Sequence, residues 1–255
     1  MTIRRLVLAL ILLLAPAMLA GCAEVPKSPE QLAEYNAAHD PLEPMNRVVF
    51  DVNDFLDRLL IRPLAELYRF AIPDYMRERV ANILSNLGEP IVFANNMLQG
   101  ELGRAGTTAE RFGVNSVVGV GGIFEVADGW DLHKQLGDFG QTLSVWGIKE
   151  GPYLVLPLLG PSNFRDAIGL GVDSVASPWQ YAAYAGGGTT AQDTYNITSY
   201  AADGLTRREQ SIEGLDALRA GSLDFYAQMR SVTRQYRNKQ LGIEDKSSLP
   251  DYENY

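Results

Sequence analysis

No stretch of this chain limits its fold more than residues 119–162, where glycine recurs every few positions and Pro152, Pro157 and Pro161 fall among short apolar pieces. Those pieces are Ile123-Phe124, Leu143 to Ile148 and Tyr153 to Leu159. None approaches the roughly 20 apolar residues that a membrane-spanning helix needs. Nor do they repeat the alternation, about ten residues long, of a transmembrane barrel strand. Proline breaks helix interiors and central strands, and glycine carries an entropic cost in both. The segment reads as turns and short pieces set between regular elements.

On either side of it the period is helical. Asp40-Pro41-Leu42-Glu43 has the order of a capping-box start, with aspartate as cap, proline first and glutamate third. Val48, Val49, Val52, Phe55, Leu56, Leu59 and Leu60 then recur at spacings of three and four. Opposite them, Asp51, Asp54, Asp57 and Arg58 offer a metal-binding face or a solvated one. With no calcium-type loop around them, the solvated face is expected. Pro63 and Pro73 punctuate the next stretch. Val80, Ile83, Leu84 and Leu87 mark a further helix, expected to end at Gly88-Glu89-Pro90, and residues 91–99 and 101–118 also read as helical. Thr189 to about Leu241 carries Leu215, Leu218, Leu223, Phe225, Tyr226, Met229, Val232 and Tyr236 between charges, with breaks expected at Gly214 and Gly221. No internal repeat is present. The expected fold class is mainly α.

The first residues set the compartment. Arg4 and Arg5 precede an apolar run from Leu6 to Ala20 that stops at Leu19-Ala20-Gly21-Cys22. That is the order of a secretory signal, spanning 1–21. Leu-Ala-Gly-Cys resembles the bacterial lipobox, which implies cleavage before Cys22 and acylation of it, several chains being needed for a stable anchor. Ala23, where lipoprotein sorting would place an aspartate for inner-membrane retention, implies the outer membrane. The alternative is an ordinary cleaved signal with an incidental cysteine. Residues 22–39 read as a flexible lipidated tether, 40–241 as the helical domain, and 242–255 as a disordered acidic tail. With 22 Lys and Arg against 31 Asp and Glu the net charge is −9, which makes nucleic acid a poor partner.

Catalytic signatures are missing. Past the signal there are two histidines, His39 in the tether and His133 in a polar segment. No G-x-S-x-G elbow accompanies them, and neither a Cys nor a His cluster exists for zinc. Gly119-Val120-Gly121-Gly122 lacks dinucleotide-binding spacing. The chain is expected to be no enzyme and to hold no cofactor and no metal, although motifs alone do not speak to a carboxylate-only site.

The blocks that composition leaves unexplained resemble the MlaA (VacJ) lipoprotein family. Asp40-Pro41-Leu42-Glu43-Pro44-Met45-Asn46-Arg47 is similar to its opening D-P-L-E-x-x-N-R. Arg62-Pro63, Tyr68 and Pro73 come after it in order. Asn86-Leu87-x-Glu89-Pro90, Asn96 and Leu98-Gln99-Gly100 are next, then Arg111-Phe112, Asn115 and Gly119 to Ala127. Phe139-Gly140-Gln141-Thr142-Leu143, Gly151 to Pro157, Gly160-Pro161-Ser162 and Phe164-Arg165-Asp166 close the series. Each block is weak alone, but their joint order over about residues 40–178 is specific.

The resemblance implies a ring-shaped helical domain with a Gly/Pro-rich loop region around a central amphipathic channel. It would be lipid-anchored and periplasm-facing, embedded in the inner leaflet of the outer membrane. Misplaced phospholipid would leave the outer leaflet through the channel and pass to a periplasmic carrier of the MlaC type, and trimeric porins would be partners. A water route for a two-tailed lipid is prohibitive at roughly 0.8 kcal/mol per exposed methylene. The Gly/Pro-rich region sets apolar beside polar groups, so Phe124, Val126, Leu143, Trp146, Tyr153 and Leu156 are expected to line or gate the channel. Met45 and Asn46 are expected to hold its mouth closed. Two other readings remain open, a structural lipoprotein that braces porins or envelope without moving lipid, and a lipid hydrolase.

Overall fold

The structure is a computed structural model that describes residues 40–243. Cys22, the signal and the tether to residue 39 lie outside the described residues, as do residues 244–255 of the tail. In chain order come α1 (Glu43–Leu56), a π turn (Asp57–Ile61), α2 (Arg62–Ala71), α3 (Asp74–Leu98), α4 (Leu102–Val117) and a 3₁₀ turn (Ala127–Trp130). After these stand α5 (Phe139–Val145), strands β1 (Tyr153–Leu156) and β2 (Gly160–Asn163), α6 (Phe164–Ala176), α7 (Pro178–Gln210), α8 (Ile212–Gly221) and α9 (Phe225–Gln240). The expected mainly helical class holds, and the Gly/Pro-rich stretch folds as turns, a short helix and one hairpin. No helix among the described residues is long and apolar enough to cross a membrane.

The chain divides into two compact units, the first containing α1 to Phe55 and residues 150–164, the second the remainder. In the first unit β1 and β2 pair antiparallel, with Val155 opposite Pro161. Val155 turns its N–H away from β2, toward Asn46 of α1, at 2.9 Å. It therefore asks nothing of the proline, which has no N–H to give.

In the second unit, the expected helix end at Gly88-Glu89-Pro90 is not there: α3 runs from Asp74 to Leu98 with Pro90 inside it. An interior proline costs about 3 kcal/mol, and tertiary bonds hold the helix through it. The Asn86 amide donates to Ser116 Oγ at 3.1 Å, Leu87 O accepts from Trp179 Nε1 at 2.7 Å, and Glu89 is buried against Arg111. Local breakers give way where both flanks are anchored. The expected break at Gly214 is also absent, since it lies inside α8; the actual breaks are at Ser211 and at 222–224. Gly221 is the last residue of α8.

Beside a set of buried apolar residues that includes Phe50, Leu143, Val155, Ile212 and Tyr226, the fold buries large polar side chains and turns large apolar ones outward. Among the described residues, the largest fully buried side chains include Arg111, Glu89, Asn46, Asn96 and Asn115, and none of that set is apolar. Meanwhile Leu59, Leu60, Leu64, Leu67 and Phe70 are exposed, Phe70 by 90%. Ile168, Val172 and Val175 form another exposed stripe at helical spacing on α6. In a water-soluble helix that stripe faces the core. The aspartate face also differs from expectation at one position: Asp57 is largely buried and takes Arg208 through two bonds of 2.6 and 2.9 Å.

An ion cluster ties the C-terminal helix to this unit. Arg237 of α9 reaches Asp138, the cap of α5, at 2.7 Å and Asp166 of α6 at 2.8 Å. Burial alone would raise the Asp166 carboxyl, but Arg237 and Arg165 hold it below its ordinary 3.8. A carboxyl lowered in the folded state stabilises above its unfolded value and loses that contribution as pH falls. Asp166→Asn is expected to cost roughly 1.5–3 kcal/mol near neutrality, the scale of bonds to charged groups. In thermal melts against pH, the gap between wild type and variant should close as the solution is acidified through the carboxylate range.

Candidate functional site

A cavity of about 620 Å³ opens between α3 and α7 in the second unit. Its α3 wall is Val80, Ile83, Leu84 and Leu87; its α7 wall is Ala191, Thr194, Tyr195, Thr198, Ser199 and Ala202. Both sets keep helical spacing, so each wall is one face of one helix. The α7 wall is less polar than its sequence. Thr194 Oγ1 donates to Thr190 O at 2.8 Å and Ser199 Oγ to Tyr195 O at 2.7 Å, each four residues back along the helix. Satisfied in this way, these hydroxyls leave a nearly apolar surface.

Each end of the cavity has its own device. Toward Leu87, Trp179 bonds the α3 backbone and packs on Phe112 with ring centroids 6.3 Å apart. Between Trp179 and Ala191 the helix kinks at Gly187 and Gly188, the latter at φ 68°, ψ −157°. That conformation is essentially reserved to glycine. Toward Val80, the ion cluster of Arg69, Arg77, Glu209 and Glu213 joins α2, α3, α7 and α8. Arg69 Nε donates to Glu209 at 2.8 Å, and Arg77 Nη1 lies 3.5 Å from the same carboxylate oxygen. Glu213, bonded by Arg69, is pushed down to about 2.

Beside the cavity helices lies the buried polar core. Arg111 of α4 is 3.4 Å from Glu89 and 3.2 Å from Glu125, and donates to Leu132 O. Burial raises the Glu89 carboxyl, with Arg111 opposing. Asn115 donates to Glu125 at 2.9 Å and accepts from the N–H groups of Val126 and Ala127, both at 2.9 Å. These bonds dock the loop 119–127, in which Val120, Gly121 and Gly122 all have positive φ, onto α4. Blocks that are scattered in sequence thus form one polar unit.

The residues singled out by sequence divide between the two units, and none lines the α3–α7 cavity. In the first unit Asn46 is fully buried. It donates to Asp40 at 2.8 Å and Tyr153 O at 3.0 Å and accepts from Val155 N, so its amide serves the free edge of β1 as a strand would. Tyr153 is buried; Met45 and Leu156 are half-buried. In the second unit Leu143 is buried in α5, Val126 is half-buried, and Phe124 and Trp146 are exposed. Phe124 lies 5.0 Å from the Arg79 guanidinium, and Trp146 donates to Leu98 O at 3.1 Å. The sequence marks Val80, Ile83, Leu84 and Leu87 only as a helix, and carries no sign of the hydroxyl-bearing α7 wall.

Large apolar side chains turned outward, buried charged and amide groups and an apolar groove between two helices define a mainly helical protein with extensive exposed apolar surface. The family described as MlaA lipoprotein matches residues 38–240. The intermembrane phospholipid transport system lipoprotein MlaA of Haemophilus influenzae is 30% identical over 249 residues, covering 94% of each chain. Its namesake in Escherichia coli K12 is 29% identical over 229 residues, 88% of this chain and 81% of that one. An uncharacterised protein of Rickettsia typhi is 30% identical over 217 residues, 85% and 83% of the two chains. A solved chain from work on the structural basis for maintenance of bacterial outer membrane lipid asymmetry superposes with TM-score 0.67 at 30% identity, covering 80% of this chain and 98% of its own. The chain belongs to the MlaA lipoprotein family.

Two substitutions test the geometry. Asn46→Leu strands Tyr153 O and Val155 N and is expected to cost roughly 1–3 kcal/mol for each group in denaturant unfolding. Gly188→Ala is expected to cost roughly 1–3 kcal/mol, the scale of a residue forced into that region of backbone space; Gly204→Ala, within regular α7, should not.

Proposed function

We propose that this protein is an outer-membrane lipoprotein that takes mislocalised phospholipid from the outer leaflet and passes it to a periplasmic carrier, so maintaining lipid asymmetry. The observation that carries the reading is the apolar surface turned outward. Apolar stripes such as Leu60, Leu64, Leu67 and Phe70 are exposed while Arg111, Glu89 and several amide side chains are buried. Exposed apolar surface of this extent marks contact with lipid or protein. The cavity adds a path, since its apolar walls supply the contact that a lipid tail loses on leaving the bilayer. Family membership and the names carried by the relatives support the same substrate.

Acylated Cys22 anchors the chain in the inner leaflet of the outer membrane, facing the periplasm. A trimeric porin holds it beside the outer leaflet, and a carrier of the MlaC type receives the lipid. Phe124, Val126, Leu143 and Trp146 of the second unit, and Tyr153 and Leu156 of the first, act as gating and supporting positions for lipid passage. Met45 and Asn46 act as a closing element for lipid passage, held in place by the bond of Asn46 to β1. No catalytic step and no cofactor enter this function.

In a deletion strain, surface-accessible phospholipid is expected to accumulate, with rescue by wild type but not by Cys22→Ala. Unchanged surface lipid would favour a structural brace, and lysolipid or fatty acid release would favour a hydrolase. Deleting Met45-Asn46 should leak lipid to the surface in an otherwise wild-type background; an intact barrier in that variant would remove the closing role.

A further inference from the structure

The ion cluster at the Val80 end of the cavity has a composition that simple bracing does not require. One turn before Val80 on α3 stands Arg77, with a side chain only 13% exposed. Beyond Ala202, the same face of α7 carries Thr206 and Glu209, both buried. Glu209 is the anion on which two guanidinium groups from different helices converge, Arg69 from α2 and Arg77 from α3. The other carboxylates on these arginines are Glu213 and Asp74, 70% and 96% exposed, and solvated partners of that kind hold a charge only weakly. The inner anion position thus sits between two guanidiniums beyond one end of an apolar groove, Arg77 one turn from its lining on α3 and Glu209 about two turns from its lining on α7. Along α7 that groove extends from Ala191 to Ala202, roughly 16 Å at the helical rise.

We infer that Arg69 and Arg77 form the subsite for the phosphate of a phospholipid headgroup, and that Glu209 occupies it when no lipid is bound. The inference rests on the lipid-conducting reading above and names the headgroup recognition within it. Guanidinium forks match phosphate oxygens in pairs. A lipid with its tail between α3 and α7 places its phosphodiester beyond the Val80 end of the groove, where it displaces the Glu209 carboxylate. In the lipid-free protein Glu209 gives Arg77, 13% exposed, and Arg69, 34% exposed, a shared carboxylate far less solvated than Glu213 or Asp74. The same carboxylate competes with the lipid and limits its residence, as a conducting site requires.

The test uses the purified full-length protein in detergent with two lipids of identical tails, dioleoyl phosphatidylglycerol and dioleoylglycerol, the second lacking phosphate. Bound lipid is counted by native mass spectrometry. Glu209→Gln is expected to raise retained phospholipid roughly tenfold and Arg77→Gln to lower it by a similar factor, the ratio that one charge-assisted bond supports. Arg77→Lys should restore part of the loss, and dioleoylglycerol should bind all of these variants alike, which also reports that they are folded. If the charge variants leave the ratio of the two lipids unchanged, the subsite is overturned. It is equally overturned if inorganic phosphate alone protects wild type from heat as strongly as the phospholipid does, since that marks a free-anion site. Thr198→Trp and Ile83→Trp fill the groove and should lower both lipids together. If both fold and bind both lipids normally, it is the cavity reading that fails, independently of the headgroup.

Discussion

Arg111 is the contact on which the rest of the second unit depends. A guanidinium buried with two carboxylates and a backbone carbonyl is stable only when every partner is in place, and losing one leaves an uncompensated charge. The partners come from α3, from the loop after α4 and from the segment beyond the 3₁₀ turn. One side chain therefore fixes the positions of all three. With these polar groups taking up much of the buried space, many large apolar side chains are left outside, in the outward stripes on α2 and α6. In water such stripes are a liability; against acyl chains they are the lower-energy arrangement.

The cavity depends on two local rules being overridden. Helix α3 continues through Pro90 because Asn86, Leu87 and Glu89 are all held from outside the helix. The bond at Leu87 also ties the end of the Val80–Leu87 face to Trp179 of α7. Helix α7 bends at Gly187-Gly188, which separates the segment carrying Trp179 from the wall that starts at Ala191. The bend needs a residue without Cβ, and the wall needs hydroxyls that bond back along their own helix. Neither property involves a reactive group, in keeping with the proposed passage of lipid.

Much of the secondary structure is legible because helical period survives in sequence whichever face is buried. Thr189, where the C-terminal pattern begins, falls one residue after the kink, and the helical reading of 101–118 matches α4 closely. Period does not report which side faces inward, so Leu59 and Leu60 read like ordinary core. Pro90 misleads because local propensity carries no information about distant anchors such as Trp179 and Arg111. The site is less legible than the fold. Glycine-flanked aromatics stand out because they are unusual, whereas Val80, Ile83, Leu84 and Leu87 look like any amphipathic helix. Thr194 and Ser199 read as polar until their bonds to Thr190 O and Tyr195 O are seen. Asn46 stands out beside a helix start, but its partners on β1 lie more than 100 residues away.

The most direct measurement is site-specific photo-crosslinking in living cells, with a photoreactive residue at Thr198 on the cavity wall and another at exposed Lys149 as reference. The account predicts that the Thr198 probe captures phospholipid, identified by mass after purification, while the Lys149 probe captures little. Equal capture at both positions, or none at Thr198 in a folded and correctly localised protein, would contradict it.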